Sequence, residues 1–269
     1  MTQIVSQKRT RRFVVGASAA LELRWAGASD IGQKRAINED SLVALPGLIA
    51  VADGLGGHSA GDVASSAAAH RLAAVAKARA KSDWVQDPAE IVRAFAEASD
   101  EILLGSAGTA SGSGTTVSGF AVVAREGRAM LFVFNIGDSR VYRWRGGELT
   151  QLTVDHSYVQ ELVDAGQLPA ELAELHPDAN IITRALGFGE VPPHDSWFVE
   201  PATGDRYLVC TDGLTREVST GRIAELLAAG DEPQPTAAAL IAAANEAGGR
   251  DNITVAVVDV LAAPGPAAD

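Results

Sequence analysis

Four aspartates in this chain sit where an apolar run meets glycine. Asp53 ends "LIAVAD" and opens "DGLGG", Asp138 follows "FVFNIG" in "GDSR", and Asp212 follows "YLVCT" in "TDGL". Asp251, in "GGRDN", precedes "NITVAVVDV". A fifth acidic point, "NED" at 38–40, stands just ahead of another apolar stretch. Near-continuous apolar runs of this length read as strands buried on both faces. The pattern therefore calls for a layered fold with acids at its strand ends.

Strand-like runs fall at 23–28, 48–53, 115–123, 130–135, 141–144, 207–211 and 253–260. Helical periodicity covers 61–78, 89–104, 158–165, 220–229 and 236–247. Strands cluster in blocks and do not alternate with helices, which favours an α+β layered fold over a doubly wound parallel sheet. With 269 residues the chain can bury a substantial core. No apolar run is long enough to cross a membrane as a helix. The single cysteine, Cys210, excludes an intramolecular disulfide and argues against a cysteine-based zinc site. A net charge of −12 argues against non-specific nucleic-acid binding. Without a secretory signal pattern, the expected compartment is the cytosol. Residues 1–20, with the basic group Lys8, Arg9, Arg11 and Arg12, are expected to be a disordered leader, and 262–269 a disordered tail.

Any single Asp-Gly is an ordinary turn. Four of them plus "NED" point to something more. Converging carboxylates repel and raise one another's pKa, and a hard divalent cation with oxygen ligands resolves that conflict. Glycines beside the acids let an ion or ligand approach the backbone. Other chemistries lack their residues. "DGLGGHSAG" has no P-loop lysine, "GSAGTASGSGTT" follows no strand of a βαβ unit, and there is no G-x-S-x-G elbow. The five histidines show no zincin spacing. His70 reads as a helix-face residue, while His58 and His156 lie beside acidic motifs, where a supporting role and a structural one weigh equally.

The ordered series "SDIGQKRAINEDS", "VADGLGGHSAGDVAS", "SGTT", "NIGDSRVYRW", "LTVDHS", "NIITRALG", "CTDGLT" and "RDNITVAVV" resembles the signature segments of the metal-dependent protein phosphatases of the 2C type, in a bacterial spacing. The resemblance covers residues 23–261. It implies a four-layer α-β-β-α sandwich built on a central antiparallel β-sandwich, with a catalytic domain over 21–261 and a variable flap near 156–182. It further implies two to three Mn²⁺ or Mg²⁺ ions. Asp53 would bridge two of them and the Gly54 carbonyl would bind one. Asp212 and Asp251 would complete the second ion's ligands, and Glu39 would hold its water. Asp138 matches the acid that helps bind a third, weaker ion in bacterial members. Arg35 matches the phosphate-binding arginine, with Asp40, Thr116 and Asn252 as supports.

The implied reaction is hydrolysis of phosphoserine and phosphothreonine monoesters by a water held between two ions, opposing Ser/Thr kinases. Expected partners are phosphorylated proteins, and the expected form is a monomer. Leu55 stands where some relatives carry a histidine proposed as general acid, so leaving-group protonation falls to ion-held water. Two other readings remain at this point: a docking module that kept the fold, and a two-metal enzyme for nucleotides or small phosphate esters. The first predicts missing ligands and the second a base- or sugar-binding feature, neither of which the sequence displays.

Overall fold

The computed structural model describes residues 1–5, 9–15, 20–56, 60–81, 83–105 and 112–263. Two six-stranded sheets face one another. In spatial order the first holds β1 (Thr2–Val5), β4 (Ser41–Leu45), β5 (Leu48–Ala52), β8 (Val117–Arg125), β9 (Arg128–Ile136) and β12 (Asp195–Val199). The second runs β11 (Glu148–Gln151), β10 (Arg140–Arg145), β13 (Arg206–Cys210), β14 (Ile253–Ala262), β3 (Leu21–Asp30) and β2 (Thr10–Phe13). A short ribbon pairs β6 (Gly54–Leu55) with β7 (Gly114–Thr115). All strand pairs are antiparallel except β1 with β4, which is parallel.

Helices α1 (Ala60–Ala78) and α2 (Pro88–Gly105) cover the outer face of the first sheet, and α5 (Thr220–Ala228) and α6 (Pro233–Ala247) cover that of the second. Each central strand therefore has two apolar neighbours, which explains its unbroken apolar run. On β4 and β5, Leu42, Ala44, Ile49 and Val51 point into the sandwich, while Val43, Leu45, Leu48 and Ala50 meet α1 and α2. On β14, Ala256 and Val258 face inward and Val255 and Val257 face α6. Period-two alternation thus sorts one run of valines and alanines into two cores.

All seven expected strands and all five expected helices are present, the remaining helices being α3 (Tyr158–Asp164) and the single turn α4 (Asp212–Thr215). For the described residues of 1–20, the expected disordered leader is corrected by two strands. Thr2–Val5 adds to the β4 edge, where the Thr2 amide donates to Ser41 Oγ at 3.2 Å and its hydroxyl meets Ser66 Oγ at 2.7 Å. Thr10–Phe13 pairs with β3 and buries Phe13 completely in the sandwich. Arg11 pairs with Asp83 at 3.5 Å, and Arg9 hydrogen-bonds Gln234. Composition missed these strands because an edge strand shows the core only alternate residues, and one phenylalanine carries the signal. The tail is likewise ordered to the end of β14 at Ala262, with the Ala263 amide on Thr203 Oγ1 at 3.0 Å. Residues 264–269, together with Lys8 and His58, lie outside the described residues.

Candidate metal centre

The acids gather at one end of the sandwich, and they come from both sheets. Glu39 and Asp40 lead into β4, Asp53 follows β5, and Asp138 follows β9 in the first sheet. Asp212 follows β13 and Asp251 precedes β14 in the second. Antiparallel order makes this possible, since the start of one strand lies beside the end of its neighbour.

Backbone and side-chain bonds then lock the loops. The Asp53 amide donates to Thr116 Oγ1 at 3.0 Å, and Asp53 carbonyl oxygen accepts from the Thr116 amide at 2.9 Å. Asn252 Oδ1 accepts from the Glu39 amide at 2.8 Å, while its Nδ2 donates to the carbonyls of Ile31 and Ile37, both at 3.0 Å. Thr211 Oγ1 donates to Asp40 Oδ2 at 2.9 Å. Two glycines are required by close approach. A Cβ on Gly54 would lie 2.1 Å from the Gly61 carbonyl oxygen, and one on Gly213 would lie 1.9 Å from the Asn252 carbonyl oxygen. These glycines seat the acid-bearing loops against their neighbours as well as leaving the backbone open.

A recess of about 230 Å³ is lined by Arg35, Glu39, Asp53, Gly54, Asp212, Asp251 and Asn252, among others. A larger one, about 560 Å³, shares Arg35, Asp212 and Asp251 and adds Asp138, beneath the flap residues Val159, Glu174 and Leu175. Asp40 and Thr116 are fully buried and line neither recess. Arg35 is half exposed at the rim, with Nη2 2.8 Å from Asp251 Oδ2.

The electrostatics are strained in the direction the sequence suggests. Burial, then the charges of Asp40, Asp212, Asp138 and Asp251, push Asp53 well above the ordinary carboxylate range. Burial and the neighbouring Asp212 lift Asp138 to about 8, against the pull of Arg216. Asp40 rises to about 7, chiefly by burial and despite hydroxyl hydrogen bonds from Thr254 and Thr211. Glu39 and Asp212 are also raised, by burial first. Among the described residues, five buried carboxylate oxygens have no hydrogen-bond partner, and four of them belong to this cluster: Glu39 Oε1, Asp40 Oδ1, Asp138 Oδ1 and Asp212 Oδ1, the fifth being Asp62 Oδ1. Buried oxygens of this kind ordinarily find a donor or a cation, and an oxygen-only donor set suits a hard divalent ion. Among the described residues, no three His, Cys, Asp or Glu side chains are drawn together tightly enough to hold a metal as they stand. A guanidinium, that of Arg216, lies among them.

Three other groups escaped the sequence reading or were left open by it. Arg216 is one, and its position four residues after Asp212 on a helical turn was the available signal. Arg140, in "GDSR", grips Asp155 through Nε and Nη2 at 2.7–3.0 Å and ties the loop after β9 to the "VDHS" segment. His156 props the loop that carries Asp138. Its Nδ1 accepts from the Gly137 amide at 3.1 Å and its Nε2 faces Asp195 at 3.2 Å, while burial lowers its pKa. The flap's two ends are pinned together by the Tyr158 amide on the Ile181 carbonyl at 2.9 Å and the Thr183 amide on that of His156 at 2.8 Å. His70 lies exposed on α1, as expected.

Known proteins resemble this chain in sequence and fold. A family model described as protein phosphatase 2C matches residues 27–248. The serine/threonine protein phosphatase PstP of Mycobacterium tuberculosis is 41% identical over 250 residues, 91% of this chain, and the chain spans only 46% of that protein's length. Protein phosphatase PhpP of Streptococcus pneumoniae is 38% identical over 239 residues, covering 86% of this chain and 95% of PhpP. A crystal structure of the PstP catalytic domain in complex with 2 manganese ions superposes with a TM-score of 0.76 at 38% identity, over 90% of this chain and 99% of that one. The matched span encloses every acid of the cluster but Asp251, on the same sandwich, and the chain belongs to the protein phosphatase 2C family.

Proposed function

We propose that this chain is a divalent-metal-dependent protein Ser/Thr phosphatase that hydrolyses phosphoserine and phosphothreonine monoesters, opposing Ser/Thr kinases. The observation that carries the reading is the gathering of carboxylates from both sheets on one recess, where buried oxygens of Glu39 and Asp212 lack partners and an arginine stands at the rim. Its named relatives are Ser/Thr protein phosphatases, which supports the same reading. In this proposal Asp53, Asp212, Asp251, Glu39 and the Gly54 carbonyl hold Mn²⁺ or Mg²⁺, and Asp138 stands beside them. When bound, such ions acidify water and neutralise charge on the phosphoryl oxygens.

The chain's own groups do the rest. Arg35 donates to Asp251 through one N–H and retains others, in a planar fork, for phosphate oxygens. Thr116 and Asn252 fix the loops of Asp53 and Glu39, so the carboxylates are set before substrate arrives. Asp40 sits behind them, buried and held by Thr211. The wall of the larger recess formed by Val159, Glu174 and Leu175 gives the flap contact with whatever surrounds the phosphorylated residue. No histidine occupies position 55, and His156 is committed to Gly137 and Asp195. In this proposal, proton delivery to the leaving alkoxide falls to water held at the centre. Action on cytosolic phosphoproteins, as a monomer, completes the proposal; no described helix is long and apolar enough to cross a membrane.

The test is phosphate release from a phosphothreonine peptide with Mn²⁺, with Mg²⁺ and with chelator, comparing wild type with Asp212→Asn. Loss of several kcal/mol of transition-state stabilisation, on the order of 1,000-fold in rate, is expected from chelator or substitution. An Asp212→Asn protein as active as wild type would sink the ligand assignment. A wild type that binds metal yet leaves the peptide intact would sink the protein-phosphatase reading.

A further inference from the structure

Arg216 caps the single helical turn that begins at Asp212, so the two side chains fall on one face. Its Nη2 lies 2.5 Å from Asp212 Oδ2 and 3.3 Å from Asp138 Oδ2, and its Nη1 lies 4.0 Å from Asp251 Oδ2. One guanidinium thus joins an acid of the first sheet to two of the second. Asp138 and Asp212 each give it one oxygen, and each keeps a second, buried oxygen with no partner. Those are the atoms a further cation would need. Arg216 lines both recesses, whereas Asp138 lines only the larger.

We infer that Arg216 is a resident counter-ion that holds the position between Asp138 and Asp212, so that this chain's centre takes two divalent ions and excludes a third. The inference rests on the metal centre proposed above. An arginine stays charged at any accessible pH, and the neighbouring carboxylates Asp212, Asp138, Asp53 and Asp251 favour the charged form further. It cannot make way by losing a proton. A divalent ion held by the free Oδ1 atoms of Asp138 and Asp212 would stand within a few ångströms of a guanidinium already bound to the Oδ2 atoms of both, and like charge so close would repel it. Glu39, Asp53, Gly54 and Asp251 line the smaller recess with Asp212, so two ions can be held there while the guanidinium remains on Asp138.

Equilibrium dialysis against Mn²⁺ with metal analysis of the retained protein reads this directly, without turnover. Wild type and Arg216→Lys should retain about two ions per chain, while Arg216→Ala and Arg216→Gln should retain about three at the same free Mn²⁺. Adding Asp138→Asn to Arg216→Ala should return the count to two, whereas Asp138→Asn alone should leave it at two. Circular dichroism of each variant guards against misfolding, and Arg216→Gln preserves the side chain's planar donors if Arg216→Ala does not fold. Three ions on wild type, or two on both neutral variants, would overturn the inference and leave the metal centre standing. No retained Mn²⁺ on any form would overturn the metal centre and the inference together.

Discussion

Both ends of this sandwich bury carboxylates, and they treat them in opposite ways. At the end away from the metal centre, Asp205 accepts from Arg145 Nε and Nη2 at 2.5 and 2.6 Å, from the Ala202 amide at 2.8 Å and from the Tyr207 hydroxyl at 3.0 Å. Asp259 accepts from Arg206 at 2.6 and 3.2 Å and from Arg24 at 3.0 Å. The donors outweigh the cost of burial for Asp205, and its pKa falls. At the other end Asp40, Asp53, Asp138 and Asp212 are all raised, and three of them keep a buried oxygen without a partner. A carboxylate with its own donors is a structural bolt. One left short of donors is waiting for a ligand, and burial alone does not separate the two.

Removing charge at the two ends should therefore shift stability in opposite directions. Asp259→Asn strands the Arg206 guanidinium with only carbonyl and hydroxyl acceptors, and should cost about 3 kcal/mol in urea unfolding. Asp53→Asn removes one charge from a crowd of four other acids and should raise the stability of the chelated chain by about 1 kcal/mol at pH 8. If Asp53→Asn destabilised the chelated chain as much as Asp259→Asn, the distinction between the ends would collapse. The smallest effect concerns acid. Asp205 has a lowered pKa in the folded chain, so its contribution is complete above the unfolded value near 3.8 and disappears as pH falls through the lower folded value. Replacing it with asparagine should flatten the stability–pH curve in that window and leave the shape above pH 5 unchanged, as thermal melts across pH would record.

The central strands were legible because each is buried on two faces, which forces a run of apolar residues that no loop would carry. Val255 through Val258 needs no context to be read as a strand. Asp53, Asp138, Asp212 and Asp251 were legible for a related reason, since an acid set against such a run stands out. The edges were not. Thr10–Phe13 offers one buried phenylalanine among polar residues, and Thr2–Val5 is held by a neighbour's exposed edge more than by its own pattern. The role of Arg216 was out of reach for another reason. Its spacing from Asp212 is local, but Asp138 lies 78 residues away, and only the folded sandwich brings the two together.

The centre draws Glu39, Asp53 and Asp138 from one sheet and Asp212 and Asp251 from the other, with the Asn252 side chain already reaching across to the Glu39 amide. An ion held by acids of both layers would act as a rivet through the laminate, and its binding energy would add to that of the fold. A cell that starves this chain of divalent ions would then weaken the fold itself. It would leave the two plates pushing apart at that end, and shorten the time the polypeptide survives among proteases.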